Sequence, residues 1–264
     1  MTPAVGRPQV VACAEVRGPS LRRFVIALAL VASVMAAACT NAERPRTGGG
    51  IYLSLGDSVA AGNGASDKAA TSFVSLIARD EGNLETLNIA VAGSTTTDVI
   101  EKQLPQALAQ TADARLDFIT ISVGGNDLAG LIPNATCQHD PLPATCPLDS
   151  ALAKIEANLG TILDRLRDAH PETPIVLLAY PNFFSGTGHP FEAPAARVLP
   201  RLNDVIRRVA AKYAHAAIAE AAPPFEGRGR ELTHVLDRAF DPHPTDAGHR
   251  LIADAFIAAL TRIR

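Results

Sequence analysis

Four short stretches of the chain set reactive side chains beside glycine or proline. Gly56-Asp57-Ser58 follows the apolar run Ile51–Leu55, and Gly93 lies in VAGSTTTDV. Gly124-Gly125-Asn126-Asp127 follows the run that includes Ile119 and Ile121, and Asp241-Pro242-His243-Pro244 precedes the last helical pattern. A hydroxyl, a group that exchanges protons near neutral pH, a carboxylate and an amide are the parts of an acyl-transfer site. The hydroxyl attacks a carbonyl, the histidine moves its proton, and N–H donors receive the developing negative oxygen. Any one of these residues alone is far more often structural than catalytic.

What must position them is a sheet whose strands end together. Strands are expected at Ile51–Leu55, Thr86–Ala90, Phe118–Val123, Ile175–Ala179 and, more weakly, Ala216–Ala219. Helical spacing separates them. Leu152, Ile155, Leu159, Ile162 and Leu166 form one stripe over 150–169, with Asp149 or Ser150 as its cap. Val198, Leu202, Val205, Ile206 and Val209 form another over 195–213. A last helix begins near Thr245 and carries Leu251, Ile252, Ala255, Phe256, Ala259 and Ile263. Alternating strands and helices predict an α/β fold, a central parallel sheet covered on both faces. In such a sheet every strand ends on the same edge, and ligands bind there.

Two stretches interrupt the alternation after strands and should emerge at that edge. One surrounds Cys137 and Cys146; the other is YPNFFSGTGHPFEAP, from Tyr180 to Pro194. Phe183, Phe184 and Phe191 either line an apolar acyl pocket or pack an irregular loop.

In this order and at these separations the four blocks resemble the SGNH hydrolase superfamily, the GDSL lipases and esterases, over Ile51 to Arg250. The resemblance implies a three-layer α/β/α sandwich similar to flavodoxin and cleavage of carboxylic esters through an acyl-enzyme. It makes Ser58 the nucleophile, at the start of a helix, and His243 the general base. It makes the N–H groups of Ser58 and Gly93 and the Asn126 amide the oxyanion hole, where each donor is typically worth about 3 kcal/mol. It requires no cofactor and no metal. Val59 stands where the family usually has leucine.

The triad acid departs from the family pattern. Many relatives carry it three residues before the histidine, where this chain has Phe240. Asp241 is two residues before, and side chains i and i+2 of an extended segment share a side. The flanking Pro242 and Pro244 favour extension. Asp241 is therefore the expected acid, with a backbone carbonyl or Asp237 as alternatives.

Several polar residues have plainer readings. Asp57, Asp127 and Asn63 read as turn residues. His139, His170, His189, His215, His234 and His249 read as surface or capping groups. Asn134-Ala135-Thr136 matches a glycosylation acceptor, a short pattern that carries little weight alone.

The bulk composition bounds the rest. The 264 residues suit one substantial domain, and 47% hydrophobic with 19% charged describes a globular core. No tryptophan, 5% aromatics and a net charge of −3 argue against stacking platforms and against nucleic-acid binding.

Arg22-Arg23, the apolar run Phe24–Ala38 and small residues before Cys39 read as an export signal. The run is shorter than the roughly 20 residues a membrane span needs. Lipidation at Cys39 is the favoured reading, with plain cleavage after an A-x-A site as the alternative. Residues 1–38 are assigned to an extension and signal, with 1–20 an upstream piece of no structural role. Residues 39–50 are a polar tether and 51–264 the hydrolase domain. Without residues 1–38 the chain carries −6.

Cys137 and Cys146, an even pair in an exported chain, read as a disulfide. A zinc site with His139 lacks paired C-x-x-C spacing.

The function expected is an extracytoplasmic esterase or lipase. It would be a monomer acting on small-molecule or lipid esters, touching a membrane only through the anchor. Deacetylation of envelope glycan, thioester hydrolysis and a non-catalytic surface binding protein are the competing readings.

Overall fold

The computed structural model describes residues 50–139, 142–237 and 241–264. The signal region, Cys39, nearly all of the tether and Phe240 lie outside the described residues.

Five strands form one parallel sheet: β1 (Ile51–Gly56), β2 (Thr86–Asn88), β3 (Leu116–Ser122), β4 (Ile175–Ala179) and β5 (Ala216–Glu220), in the order β2-β1-β3-β4-β5. β4 is buried throughout, as are all but the first residue of β1 and all but Asp117 of β3. That is why these strands read as near-continuous apolar runs, the pattern of a sheet covered on both faces.

After β1 the chain pairs on one side with β2, then crosses to pair β3 on the other. The order reverses at β1/β3, which opens a crevice at the carboxyl ends of those two strands. β2 is shorter than expected because Asn88 Oδ1 accepts the Ala90 N–H at 3.1 Å and turns the chain there. At the far edge Arg262 Nη2 donates to the Ile218 carbonyl of β5 at 3.0 Å.

The helices that frame the sheet are α1 (Phe73–Asp80), α2 (Leu104–Thr111), α3 (Leu148–Ala169), α4 (Glu192–Ala210) and α5 (Asp246–Ile263). α5 packs on β4, β5 and α1, while α3 packs on α4. The α1–α5 contact includes the Phe73 and Phe256 rings, stacked with centroids 5.1 Å apart.

The stripes expected on α3 and α4 are buried in full. Each such side chain contributes about 1.5–3 kcal/mol, and Leu159→Ala would cost about 2–5 kcal/mol. α3 starts at Leu148, earlier than expected, and neither Asp149 nor Ser150 caps it. Pro147 holds the cap position, and Ser150 Oγ donates back to its carbonyl at 2.9 Å. α4 begins at Glu192 and ends at Ala210.

Cys137 and Cys146 are joined by a disulfide. Among the described residues no group of side chains is arranged to hold a metal ion, and no helix is long and apolar enough to cross a membrane.

Candidate active site

A cavity of about 470 Å³ opens at the carboxyl edge and is lined by all four blocks, through Ser58, Gly93, Asn126 and His243. β1 delivers the first. Gly56 has φ +140°, and a Cβ there would stand 2.1 Å from the Ser122 carbonyl oxygen, so only glycine lets β1 and β3 close at this point. Asp57 N–H donates to that carbonyl at 2.8 Å, one residue past the strand. Asp57 Oδ1 then accepts the Val59 N–H at 3.0 Å, an aspartate turn that throws Ser58 outward.

No helix starts at Ser58, contrary to the sequence expectation. Asp57 to Gly64 form successive turns, with Asn63 N–H on the Ser58 carbonyl at 2.9 Å. Gly62 and Gly64, both at positive φ, keep them from winding into a helix. Ser58 Oγ has no hydrogen-bond partner among the described residues. It shares the cavity with His243, with no hydrogen bond between the two side chains.

Three N–H groups belong to residues that line this cavity. Neither Ser58 N–H nor Gly93 N–H has an acceptor among the described residues. Asn126 Nδ2 spends one hydrogen on the Ser94 carbonyl, at 3.0 Å, and keeps the other. Gly93 adopts φ +83°, and a Cβ there would meet nothing within 4 Å, so the space before its backbone is open. Asp127 fixes these turns together, accepting Thr96 N–H at 2.9 Å and Thr96 Oγ1 at 2.6 Å. From α3, Asn158 donates to Thr96 Oγ1 at 2.9 Å.

Asp241 reaches His243. Its Oδ1 lies 2.5 Å from His243 Nδ1 and also accepts the His243 backbone N–H at 3.2 Å. One carboxylate oxygen thus takes both N–H groups, a tighter arrangement than a shared side of an extended segment. Asp237 faces a different ring, 3.3 Å from His234 Nδ1.

Beneath Ser58 lies a buried polar cluster. Asp57 Oδ2 accepts the Tyr180 hydroxyl at 2.5 Å and Oδ1 the Ser122 hydroxyl at 3.1 Å. Burial pushes the Asp57 carboxyl up to about 6 against the opposing pull of these hydrogen bonds, and pushes the Tyr180 phenol up strongly. Tyr180 is bracketed by Asn203 of α4, which exchanges two hydrogen bonds with its backbone at 2.8 and 2.9 Å. Gln103 holds Gly56 in the same way, at 2.8 Å to both its N–H and its carbonyl, and reaches Ser94 Oγ at 3.0 Å. The sequence reading missed Tyr180 as a partner of Asp57, although its place at the end of β4 was a signal. It missed Gln103 too, which no motif marks.

The apolar wall comes from Phe183, Phe184 and Phe191 with Leu199, Ile132 and Pro133. Both expectations for the phenylalanines hold together: they line the cavity and also pack on each other. Phe184 and Phe191 meet edge to face at 5.8 Å, and Phe183 meets Phe225 likewise at 5.6 Å. Their loop is tied down by Glu192, which accepts Gly186 N–H at 2.6 Å and Gly188 N–H at 2.8 Å. Arg230 donates to the Gly186 and Thr187 carbonyls.

His249 fits the capping reading and not the surface one, since its Nδ1 accepts the N–H of Phe73, the first residue of α1, at 3.2 Å. It is fully buried, and burial lowers its ring to about 4. His170 closes α3 and contacts Thr111 Oγ1 at 2.9 Å, and His189 lies among the loop phenylalanines. Asn63 is a turn residue whose side-chain oxygen accepts Lys68 Nζ at 2.7 Å. Asn134 caps a short 3-10 turn through Thr136 N–H at 2.9 Å.

Among solved structures the chain is similar to phospholipase A1 from Streptomyces albidoflavus NA297, with a TM-score of 0.61 and 21% identity, covering 82% of this chain and 100% of that one. It is similar to an extracellular lipase from Streptomyces rimosus (0.59, 23%, covering 80% and 99%). A third likeness is to Axe2, an acetylxylan esterase from Geobacillus stearothermophilus (0.56, 21%, covering 80% and 93%). These likenesses share the α/β/α fold. No curated protein matches the sequence. Residues 54–251, which hold every block, match the GDSL-like lipase/acylhydrolase family. The chain belongs to that family and is a carboxylic ester hydrolase.

Proposed function

We propose that the protein cleaves esters with an apolar acyl group, outside the cytoplasm, through an acyl-enzyme on Ser58. The observation that carries this reading is the Asp241–His243 pair, 2.5 Å apart, on the same cavity as Ser58 and three uncommitted N–H donors. Ser58 Oγ attacks the carbonyl carbon while His243 Nε2 takes its proton. The carbonyl oxygen, now negative, lies against Ser58 N–H, Gly93 N–H and the Asn126 amide. The intermediate collapses, the C–O bond to the alcohol breaks, and His243 returns the proton to the leaving oxygen. Water, deprotonated by His243, then attacks the acyl carbon; the bond to Ser58 Oγ breaks, His243 returns the proton to Oγ, and the acid leaves. Asp241 keeps the Nδ1 proton in place and stabilises the charged ring.

The wall of Phe184, Phe191 and Leu199 favours an acyl chain over an acetylated sugar. The fold accommodates both chemistries, since its likenesses include a lipase and an acetylxylan esterase. Export is supported by the signal pattern before Cys39 and by the disulfide, which persists in oxidising compartments. Lipidation at Cys39 and action as a monomer belong to the same proposal.

The trial is hydrolysis of p-nitrophenyl esters of increasing chain length, together with fluorophosphonate labelling, for wild type and Ser58→Ala. Label on Ser58 and a preference for butyrate or longer over acetate are expected. Activity that survives Ser58→Ala would end the proposal, and absence of labelling in folded wild type would favour a binding protein.

A further inference from the structure

The turns after Ser58 are strapped to the segment that carries His243. His249 Nε2 lies 3.0 Å from the Asn63 carbonyl oxygen, and its Nδ1 accepts the Phe73 N–H at 3.2 Å. An N–H partner at Nδ1 and a carbonyl at Nε2 fit only the neutral ring protonated on Nε2. Asn63 lines the cavity, and its own N–H donates to the Ser58 carbonyl at 2.9 Å. Hydrogen bonds therefore link the His249 ring to the carbonyl of Asn63 and the N–H of the same residue to the Ser58 backbone.

A second strap lies beside it. His234 Nε2 lies 2.9 Å from the Gly64 carbonyl oxygen, and the His234 N–H donates to the His243 carbonyl at 3.0 Å. Asp246 adds a third, accepting Ser66 N–H at 2.8 Å and Thr71 Oγ1 at 2.7 Å. The two segments nearly touch, since a Cβ at Gly64 would stand 2.2 Å from the Pro244 carbonyl oxygen.

We infer that His249 is a positioning residue: through Asn63 it sets Ser58 relative to His243, with His234 assisting through Gly64. Neither ring lines the cavity. Their effect passes through the backbone carbonyls they hold, and it rests on Ser58 being the nucleophile. Small displacements of reacting groups cost large factors in rate, so one hydrogen bond in this strap should be read in kcat.

Two variants of His249 separate this from a purely structural role. His249→Gln places an amide N–H where Nε2 stands, keeping the Asn63 bond and losing the acceptor for Phe73. His249→Asn reaches only the Nδ1 position, so its oxygen accepts Phe73 N–H and the Asn63 bond is lost. Each variant loses one bond, so melting temperatures should fall by similar amounts. In His249→Asn, kcat on a soluble p-nitrophenyl ester should fall about tenfold with KM within about twofold of wild type. Inactivation by a fluorophosphonate should slow in parallel, and His249→Gln should restore most of both rates. Equal kcat in the two variants overturns the inference. Should neither variant fold, His234→Gln and His234→Asn make the same comparison at Gly64, on a side chain 15% exposed, and equal rates there overturn it as well. Labelling of wild-type Ser58 tests the underlying hydrolase reading separately.

Discussion

Tyr180 donates its hydroxyl hydrogen to Asp57 Oδ2 across 2.5 Å, joining the end of β4 to the turn that presents Ser58. Tyr180→Phe would leave a buried carboxylate oxygen without its strongest donor, at a cost of about 1–3 kcal/mol. Loss of that donor pushes the Asp57 carboxyl higher still. The cost should therefore be larger at pH 8 than at pH 5, where the carboxyl is protonated. Urea melts at the two pH values check this, and equal costs would count against it.

Asp241 presents a single oxygen to two N–H groups. In Asp241→Asn the amide oxygen can take that place, so the ring keeps its tautomer and only the negative charge is lost. Asp241→Ala loses both. A loss in kcat that approaches about 10⁴-fold for Ala and is clearly smaller for Asn is expected. Steady-state kinetics decide, and an asparagine variant as slow as the alanine one would refute the shared-oxygen account.

The strands and long helices were legible because their burial leaves a local mark: β4 is a continuous apolar run, and the stripes of α3 and α4 recur at helical spacing. The four blocks were legible because each is a few adjacent residues at a strand end. What joins them was not. Tyr180 meets Asp57 across 123 residues and His249 meets Asn63 across 186, separations at which no spacing rule applies. Sheet order is long-range for the same reason. The helix expected at Ser58 failed because two glycines at positive φ outweighed the small residues that suggested it.

Stability should carry the mark of His249. Its ring titrates near 4 in the fold, against about 6.5 in an unfolded chain. Folding thus favours the neutral form, and that stabilisation is complete above pH 6.5 and drains away as pH falls towards 4. Asp57 runs the other way. Its folded value of about 6 exceeds the ordinary 3.8, so acidification from 6 towards 3.8 adds stability. Each contributes up to about 3 kcal/mol. Between pH 6.5 and 4, His249→Gln should lose less stability than wild type, and Asp57→Asn should lose more. Denaturant melts across that window read both, and identical slopes in all three proteins would rule this out.

Arg167, near the end of α3, ties the amino ends of β4 and β5 together. Its Nη1 donates to the carbonyls of His170, Pro171 and Thr173, and its Nη2 to those of Ala214 and His215. A planar guanidinium can span these acceptors and an ammonium cannot. Arg167→Lys should cost about 2 kcal/mol and Arg167→Met about 3 kcal/mol. Tm would fall by roughly 4–12 °C. This cluster sits at the opposite end of the sheet from Ser58, so kcat at 25 °C should hold. Calorimetry beside an esterase assay tests the pair, and a kcat that falls with Tm would contradict it.

The two margins of the sheet have a consequence for life at high concentration. An open strand margin is a template on which another chain can add, the usual route to aggregates. Here one margin is only the three residues of β2, and at the other a guanidinium already occupies the Ile218 carbonyl. A three-residue margin on one side and an occupied central carbonyl on the other leave edge-to-edge addition of a second molecule little length to build on.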